Sequence, residues 1–291
     1  MNSPSFKVRK PVCFEDGHFY SPVVDTEDIA KRFESIWPSP PAPTMGIDWN
    51  DTCQENVLRE VFPRHIGAYD YPESLEDTPE LDRFYTRNSQ FSWLDARTLF
   101  VLLREWRPRR MIEVGSGYST LLSADVNRRF LDGDLELTCI EPYPRPFLAR
   151  AEGLQGVSRL IRQRVELVGI DPFLELQRGD VLFIDSSHVA KTGSDVNFLV
   201  FQILPRLARG VRIHIHDIHL PHDYPPDWVL SENRSWNEQY IVRALLMYST
   251  AFRILFGCRY AFERFPSLVR EALALPSGHA FGGGSLWIER L

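Results

Sequence analysis

Two patterns of apolar and polar positions alternate along the chain from about Phe91 onwards. Apolar residues spaced three and four apart predict amphipathic helices, and short apolar runs bounded by turn residues predict buried strands. The predicted strands are RMIEV, LELTCIEP, a weak run within SRLIRQRVELVGIDPFLEL, DVLFID, GVRIHIHDI, FRILFG and GGGSLWIERL. Because helices separate most of these strands, we predict right-handed βαβ units, an α/β fold and a largely parallel sheet closed by an antiparallel strand.

The N-terminal part of the chain, residues 1–88, lacks this alternation. Two short amphipathic segments, TEDIAKRFESIW and CQENVLREVF, flank the proline-rich connector WPSPPAPTMG. Thr26 and the two acidic residues after it are typical of a helix start. We therefore predict an N-terminal helical cap over residues 1–88 and a catalytic domain over residues 89–291.

Composition and charge narrow the classes of function. The chain has 291 residues, of which 44% are hydrophobic, and a net charge of −6. This composition permits a large core and disfavours nucleic acid as the main partner, because phosphate binding requires a basic surface. The four cysteines include no C-x-x-C pair, so we expect reduced thiols and a cytoplasmic location. The chain shows neither the apolar core of a signal peptide nor an apolar run near the ~20 residues of a membrane span.

Acidic residues stand near the carboxyl ends of four predicted strands, at Glu113, Glu141, Asp185 and Asp217. In open α/β sheets, ligands bind beyond the carboxyl ends of the strands. One acid in such a place is a weak signal. Four acids together predict a polar, hydrogen-bonding ligand along this edge of the sheet.

The stretch EVGSGYST, Glu113–Thr120, indicates which ligand binds at this edge. Gly115 and Gly117 allow the backbone to approach a ligand closely. A dinucleotide-binding motif would have a third glycine where Thr120 stands, and the acid before the first glycine favours a positively charged ligand over a pyrophosphate. S-adenosylmethionine meets both conditions, with Glu141 as the carboxylate that binds its ribose.

Several segments together resemble a bacterial family of class I S-adenosylmethionine-dependent methyltransferases over about residues 85–291. The segments are RRMIEVGSGYSTLLSA, CIEPYP, GDVLFIDSSHVAKTGSDVNFLVFQILPRLARGVRIHIHDIHLPHDYPPDW and WNEQYIVRALL. The resemblance implies a Rossmann-like, doubly wound, mostly parallel sheet of seven strands in the order 3-2-1-4-5-7-6, with strand seven antiparallel. It also implies methyl transfer, and similar proteins often accompany sugar and polysaccharide biosynthesis.

The resemblance assigns roles to single residues at the strand ends. The residues that match the family's cofactor loop are Glu113, Gly115, Ser116 and Gly117, and Glu141 matches its ribose-binding acid. Asp185 matches an acid after strand four, which binds a divalent metal ion in related sugar O-methyltransferases. We also expect Asp185 to lie beside the methyl donor.

A departure from the family pattern follows strand five. His216 and Asp217 stand where the related enzymes place a second metal-binding pair of acids. The resemblance therefore implies a metal site of Asp185, His216 and Asp217. Because a histidine replaces the first acid of the pair, the sequence weighs against magnesium as the metal ion.

Strands four and five are expected neighbours, so Asp185, His188, His216 and Asp217 should converge, and three interpretations of this cluster remain open. His216 or His188 is a general base that takes a proton from a substrate hydroxyl. Alternatively, the cluster holds a metal ion that lowers the pKa of that hydroxyl. In the third interpretation it only hydrogen-bonds loops and cofactor. His214 lies one pleat deeper and is interpreted as a sheet-face residue.

The stretch SWNEQY precedes the helix after strand five. Ser235 and Glu238 fit a capping box. Alternatively, Trp236, Glu238 and Tyr240 line the acceptor pocket, since aromatic faces suit sugar rings. We predict methyl transfer to a hydroxyl of a small or sugar-like acceptor. The alternatives are a metal-dependent hydrolase or hydroxylase and a non-catalytic binding protein on the same fold. Besides the acceptor, the sequence allows a second copy of the chain as a partner, in a homo-oligomer.

Overall fold

The computed structural model describes residues 13–74, 83–150, 153–273 and 282–291. These residues divide into two compact units. The first unit contains the described residues up to Ala42 together with His222–Trp236, and the remaining described residues form the second unit. The predicted boundary at residues 88 and 89 lies inside the second unit. The prediction that the chain has no signal peptide concerns its start, and residues 1–12 lie outside the described residues.

The helices of the described residues are short, apart from Trp93–Trp106 and Tyr118–Phe130. They are α1 (Thr26–Lys31), α2 (Phe33–Ile36), α3 (Asp51–Asn56), α4 (Phe62–His65), α5 (Trp93–Trp106), α6 (Tyr118–Phe130), α7 (Pro146–Ala149), α8 (Val165–Val168), α9 (Asp171–Leu174), α10 (Asp195–Phe198), α11 (Pro226–Leu230), α12 (Glu238–Leu246), α13 (Cys258–Arg264) and α14 (Pro266–Ala272). Turns of π-helix, Val57–Val61 and Leu199–Ile203, continue α3 and α10. No helix in the described ranges combines the length and apolar character needed to cross a bilayer.

A seven-stranded sheet in the order β3-β2-β1-β4-β5-β7-β6 forms the centre of the second unit. Its strands are β1 (Arg110–Val114), β2 (Glu136–Ile140), β3 (Arg159–Ile161), β4 (Val181–Ile184), β5 (Arg212–Ile215), β6 (Phe252–Gly257) and β7 (Leu286–Arg290). The first five strands pair in parallel, and β7 is antiparallel to both β5 and β6. The predicted fold class and strand order are therefore confirmed.

Helices cover both faces of this sheet, because its central strands are buried on both sides. Phe183 and Trp287 belong to a core that contains residues of α5, α6 and α13. Ile184 and Ile213 face the opposite way, into a core with residues of α9, α10 and α12. This arrangement leaves the carboxyl ends of the parallel strands as the edge where side chains gather.

The second unit begins before the boundary that the sequence predicted. Phe62 and Phe84 are buried, at 0% and 3% exposure, and both belong to the core that contains Phe183. The Phe62 ring lies 6.1 Å from that of Phe256 in β6. The described residues between Pro43 and residue 88 therefore contribute apolar surface to the core of the sheet.

The first unit is held together by contacts between its two chain segments. The indole of Trp37 donates a hydrogen bond to the carbonyl of Tyr224 at 2.8 Å. The guanidinium of Arg234 lies 4.4 Å from the ring of Trp228 and 4.7 Å from that of Trp236. Trp236 is thus one member of an aromatic group, packed edge-on against Trp228.

Candidate active site

The turn after β1 contacts the end of β4 directly. The amide of Gly115 donates to the carbonyl of Ile140 at 3.0 Å, and the amide of Asp185 donates to the carbonyl of Val114 at 2.9 Å. Gly115 has a φ of +81°. A β-carbon at this position would lie 1.7 Å from the carbonyl oxygen of Asp185. Glycine is therefore required here by backbone conformation and by space.

Glu141 lies at the same edge of the sheet, directly after β2. Its carboxylate accepts a hydrogen bond from the amide of Ser116 at 3.1 Å and another from the amide of Tyr143 at 2.8 Å. These two bonds hold the carboxylate at the mouth of the turn that contains Gly115. The remaining lone pairs of its oxygens stay available to a ligand.

A cavity of about 380 Å³ opens at this edge of the sheet. Gly115, Glu141 and Asp185 all line it, as the sequence predicted for residues around one ligand. Its other lining residues are Val114, Ile140, Pro142, Tyr143, Arg164, Val165, Glu166, Ser186, Ser187, Lys191, Ser194 and Asp195. The cavity therefore combines apolar residues with two carboxylates from strand ends, Glu141 and Asp185, and two from helices, Glu166 and Asp195.

The structure does not bring Glu113 to this cavity. Its carboxylate is fully buried and accepts hydrogen bonds from Ser119 at 2.6 Å and Thr120 at 2.7 Å, with the thiol of Cys139 at 3.6 Å. Burial raises the pKa of Glu113 to about 7, against the opposing effect of these hydrogen bonds. Because its carboxylate binds the first turn of α6 rather than facing the cavity, Glu113 stabilises the turn between β1 and α6.

The other two predicted loop residues act through their backbone. The amide of Ser116 binds Glu141, as described above, and the amide of Gly117 donates to Thr120 at 3.0 Å. Gly117 is the residue that precedes α6. Neither residue lines the cavity, so their contribution to it in the described structure is the shape of the turn.

Four of the predicted residues converge where β4 and β5 end side by side. Nε2 of His188 lies 3.3 Å from Oδ1 of Asp185 and 3.3 Å from Oδ2 of Asp217. Nδ1 of His216 lies 3.5 Å from Oδ1 of each of the same two aspartates. One ligand atom each from Asp185, His216 and Asp217 lie within 4.8 Å of one another, a spacing that could hold a metal ion. The chemistry of the set, two carboxylates and an imidazole, fits a divalent cation.

A buried carboxylate stands behind each of the two histidines. Oε2 of Glu238 lies 2.9 Å from Nδ1 of His188. Oδ2 of Asp95 lies 3.5 Å from Nε2 of His216. Glu238 and Asp95 are 2% and 6% exposed. Each imidazole thus turns one nitrogen towards the two strand-end aspartates and the other towards an acid in the interior.

Asp95 is fixed in turn by the segment that leads into β7. Its carboxylate accepts hydrogen bonds from the amide of Gly284 at 3.0 Å and from that of Ser285 at 2.8 Å. A β-carbon at Gly284 would lie 2.9 Å from the Cα of Asp217. The segment before β7 therefore needs a small residue to pass between the acid on α5 and the end of β5.

The charges in this cluster shift one another strongly. Burial lowers the pKa of His188, but its contacts with Asp185 and Glu238 outweigh this effect and raise the pKa to about 10. Burial likewise opposes the charged form of His216, whose pKa nevertheless lies well above its ordinary value because of Asp217 and Asp185. Burial would raise the pKa of Asp185, but the two histidines hold it below its usual range. The neighbouring carboxylates therefore favour the protonated form of both imidazoles.

The backbone at two of these residues adopts a left-handed conformation. His188 has a φ of +59° and Asp217 a φ of +56°. Non-glycine residues rarely adopt this conformation, and when they do they cluster at functional sites. Both residues belong to the cluster around Asp185.

The remaining histidines of this part of the chain are placed differently. His214 stacks on Phe183, with ring centroids 3.7 Å apart, and its Nε2 lies 2.8 Å from Oγ of Ser285. Burial holds its pKa well below the ordinary value, so it is a neutral sheet-face residue, in agreement with its predicted place. His219 lies 4.0 Å from Oδ1 of Asp217, and burial lowers its pKa to about 3.

The three residues predicted for the acceptor pocket have separate environments. Trp236 belongs to the first unit and packs against Trp228 there. Glu238 is buried against His188, and Tyr240 is 46% exposed on α12. The alternative interpretation, a capping box from Ser235 to Glu238, is wrong. The helix begins at Glu238 after Asn237, whose side chain binds the backbone of Ala190 instead.

Sequence reasoning missed Asp95 and the Gly284–Ser285 segment. Asp95 appeared only as a polar residue within a helical pattern, and GGGS appeared only as the start of a strand. One signal was available, because consecutive glycines before a strand indicate a close backbone approach. That signal does not name the partner, which lies about 190 residues away in the chain.

Comparison with known proteins places the chain in a family. A family model described as a methyltransferase domain matches residues 112–218, which contain both the Gly115 turn and the His216–Asp217 pair. A protein of unassigned function from Archaeoglobus fulgidus is 34% identical over 165 residues, which are 56% of this chain and 74% of that protein. The chain belongs to the class I S-adenosylmethionine-dependent methyltransferases.

Two solved structures are similar to this methyltransferase. A candidate methyltransferase from Thermobifida fusca is 15% identical, with a TM-score of 0.43 over 67% of this chain and 77% of that one. A candidate O-methyltransferase from Klebsiella pneumoniae is 15% identical, with a TM-score of 0.37 over 92% of this chain and 96% of that one. The order of the strands in this methyltransferase is a direct observation of its sheet. Its family implies S-adenosylmethionine as the cofactor.

Proposed function

We propose that this methyltransferase transfers a methyl group from S-adenosylmethionine to a hydroxyl oxygen of a small or sugar-like acceptor. One observation carries the proposal. Asp185 lines the cavity that contains Gly115 and Glu141, and it also contacts both histidines of the cluster. A donor bound in the cavity and an acceptor bound at the cluster would therefore meet at this residue.

The proposed cofactor site uses groups that suit the chemistry of S-adenosylmethionine. Glu141, held by two backbone amides, would accept hydrogen bonds from the ribose diol. Gly115 lines the cavity, and Val165 contributes an apolar wall. The cofactor, when bound, supplies a methyl group on a positively charged sulfonium. The negative charge of Asp185, whose pKa is lowered, favours a cation nearby.

The acceptor side of the proposal concerns the fate of the hydroxyl proton. Neither His188 nor His216 is a ready base on its own, because neighbouring carboxylates raise the pKa of each imidazole. Asp185, His216 and Asp217 fit a divalent cation in donor type and spacing. A metal ion bound there would lower the pKa of an acceptor hydroxyl. We therefore favour the metal-assisted interpretation over a free histidine base.

Positioning accounts for the larger part of the proposed catalysis. Methyl transfer needs the acceptor oxygen in line with the sulfonium, and orientation of two reactants is worth several orders of magnitude in rate. The end of β4 sets this geometry, since Asp185 is anchored through its own amide and through its carbonyl contact with Gly115. Asp185 would thus orient the acceptor, and Glu141 the donor.

Isothermal titration with S-adenosylmethionine and S-adenosylhomocysteine tests the donor half. We expect binding of both, and a loss of roughly tenfold or more in Glu141→Ala, in which the carboxylate for the ribose is absent. Glu136→Ala is the matched control. Glu136 lies at the other end of the same strand, and its exposed carboxylate contacts Arg110. Absence of binding, or equal binding by both variants, would contradict the donor site.

A panel of hydroxylated, amino and thiol acceptors tests the other half, with release of S-adenosylhomocysteine as the readout and mass spectrometry of the product. Transfer to hydroxyl oxygen is expected. Transfer only to nitrogen or sulfur would overturn the O-directed assignment. Tight cofactor binding with no transfer to any acceptor would favour the non-catalytic binding protein.

A further inference from the structure

We infer that the cluster at the ends of β4 and β5 selects a first-row transition-metal dication over magnesium, with His188 as a fourth donor beside Asp185, His216 and Asp217. The inference rests on the proposed function for the role of the metal ion, but not for its binding. It follows from the donor atoms, their separations and their burial.

The donor atoms are mixed nitrogen and oxygen rather than oxygen alone. Nδ1 of His216 and Nε2 of His188 each face the same two carboxylates, at 3.5 Å and 3.3 Å. Around a four-coordinate ion with bonds of about 2.1 Å, neighbouring donors are about 3.4 Å apart. Oδ1 of Asp185 lies 3.3 Å from Nε2 of His188 and 3.5 Å from Nδ1 of His216, close to this value. The three residues whose ligand atoms all lie within 4.8 Å of one another are Asp185, His216 and Asp217. Imidazole is a preferred ligand of zinc, iron, cobalt and nickel, whereas magnesium prefers oxygen.

The burial of the cluster also disfavours magnesium. His188 and His216 are 5% and 4% exposed, and the side chain of Asp217 is 12% exposed. Magnesium releases its water reluctantly and usually keeps several water ligands. A site whose donors are this deeply buried leaves little room for several water ligands. Asp185, the most exposed member at 28% for its side chain, lies on the cavity side, where a substrate oxygen could complete the coordination.

A buried acid lies behind each histidine, and the one behind His188 is hydrogen-bonded to it, an arrangement typical of imidazole ligands. Histidines that bind metal ions usually give their other ring nitrogen to a carboxylate or a carbonyl, which fixes the tautomer and strengthens the ligand. Glu238 has this place behind His188, at 2.9 Å. Asp95 lies 3.5 Å from Nε2 of His216 and forms no hydrogen bond with it. These acids do not reach the centre of the cluster, so we assign them as positioning residues.

Direct metal binding tests the inference without any measurement of methyl transfer. Protein stripped with a chelator is titrated with Zn²⁺, Co²⁺ and Mg²⁺ in turn by calorimetry, and Co²⁺ binding is followed by visible absorption. We expect one Co²⁺ or Zn²⁺ per chain, with an affinity higher than that for Mg²⁺ by roughly 100-fold or more. Equal affinity for Mg²⁺, or no stoichiometric binding of a transition-metal ion, would overturn it.

Variants connect the bound ion to these residues. His216→Glu replaces the nitrogen donor by oxygen, and we expect the preference for Co²⁺ over Mg²⁺ to fall by roughly tenfold or more. His188→Ala should shift the Co²⁺ spectrum by removal of a nitrogen ligand. His18→Ala, at an exposed histidine of the first unit, is the control for surface binding. A Co²⁺ site that is lost in His18→Ala but unchanged in His216→Glu would refute the assignment.

Failure of this inference can be distinguished from failure of the proposed function. Glu141→Ala should lose affinity for S-adenosylmethionine and keep the Co²⁺ site, because Glu141 does not contact the cluster. A protein that binds the cofactor but no transition-metal ion would refute only the metal inference. One that binds Co²⁺ at His216 but no cofactor would refute only the methyl-transfer proposal.

Discussion

The carbonyl oxygen of Asp185 occupies the space in which Gly115 would carry a side chain. A β-carbon at position 115 would lie only 1.7 Å from that oxygen. The turn after β1 and the end of β4 are therefore in direct contact. A displacement of one must displace the other.

Gly115→Ala should lower both stability and cofactor affinity. The variant would combine a φ of +81° with a clash against backbone, and we expect the free energy of unfolding to fall by more than about 2 kcal/mol. Gly117→Ala is the matched control, since an added β-carbon at Gly117 would have no atom within 4 Å. Thermal unfolding of both variants measures the difference. Similar melting temperatures would contradict the contact.

Glu113 should make stability depend on pH between its ordinary pKa and its folded one. Burial raises this pKa from 4.5 to about 7, so in that window the folded chain holds a proton that the unfolded chain has released. The free energy of unfolding should therefore fall as pH rises from about 4.5 to 7, by up to about 3 kcal/mol.

The variant Glu113→Gln isolates this contribution, because its amide cannot titrate. Chemical denaturation of both proteins between pH 4 and about 8 should give curves that diverge in slope through the window, with the variant flatter. Parallel curves would show that Glu113 is ionised in the folded chain throughout.

Phe62 tests whether the segment before residue 88 supports the core of the sheet. Its side chain is fully buried against Phe256, and Phe62→Ala should reduce the free energy of unfolding by about 3–5 kcal/mol. Phe19→Ala removes the same atoms from a side chain that is 90% exposed, and it should change stability by less than about 0.5 kcal/mol. Urea denaturation gives both values. Equal effects of the two substitutions would count against a structural role for this segment.

Glu238→Gln should weaken the proposed metal site without removing a ligand. The amide keeps the shape of Glu238 but loses the charge that orients His188 across 2.9 Å, and a change of this kind costs about 10–100-fold in metal affinity. Calorimetric titration with Co²⁺ measures it. Glu232→Gln, at an acid exposed beside Arg234, should bind Co²⁺ as the unaltered chain does. Unchanged affinity in Glu238→Gln would remove this acid from the site.

Much of the fold could be predicted because its signals are local. Apolar runs such as DVLFID mark strands by their own composition, and the acids at Glu141 and Asp185 mark the ends of two of them. Parallel strands bring their carboxyl ends to one edge, so the convergence of Asp185, His188, His216 and Asp217 followed from strand order alone. The prediction that Gly115 and Glu141 face one cavity required no more than this.

Other features depended on contacts that no local pattern encodes. Glu113 was expected to reach the cofactor. Its carboxylate instead lies in the core, where it accepts hydrogen bonds from Ser119 and Thr120 of α6 and from Cys139 of β2. Glu238 was assigned to a cap or an acceptor pocket because its neighbours in the chain suggested both. Asp95 gave no signal at all, since an acid within an amphipathic helix usually faces solvent.

The sequence by itself determined the strands along the chain, the glycine turn and the set of polar residues at the sheet edge, because periodicity and strand ends act over a few residues. The order of the strands within the sheet was implied only by the resemblance to a known family. Only the tertiary structure decided which nitrogen of each histidine faces the aspartates. That choice depends on Asp95 and Glu238, which the fold buries behind His216 and His188 from distant parts of the chain. A buried charge must find a partner in space, and the identity of that partner is a property of the packed core.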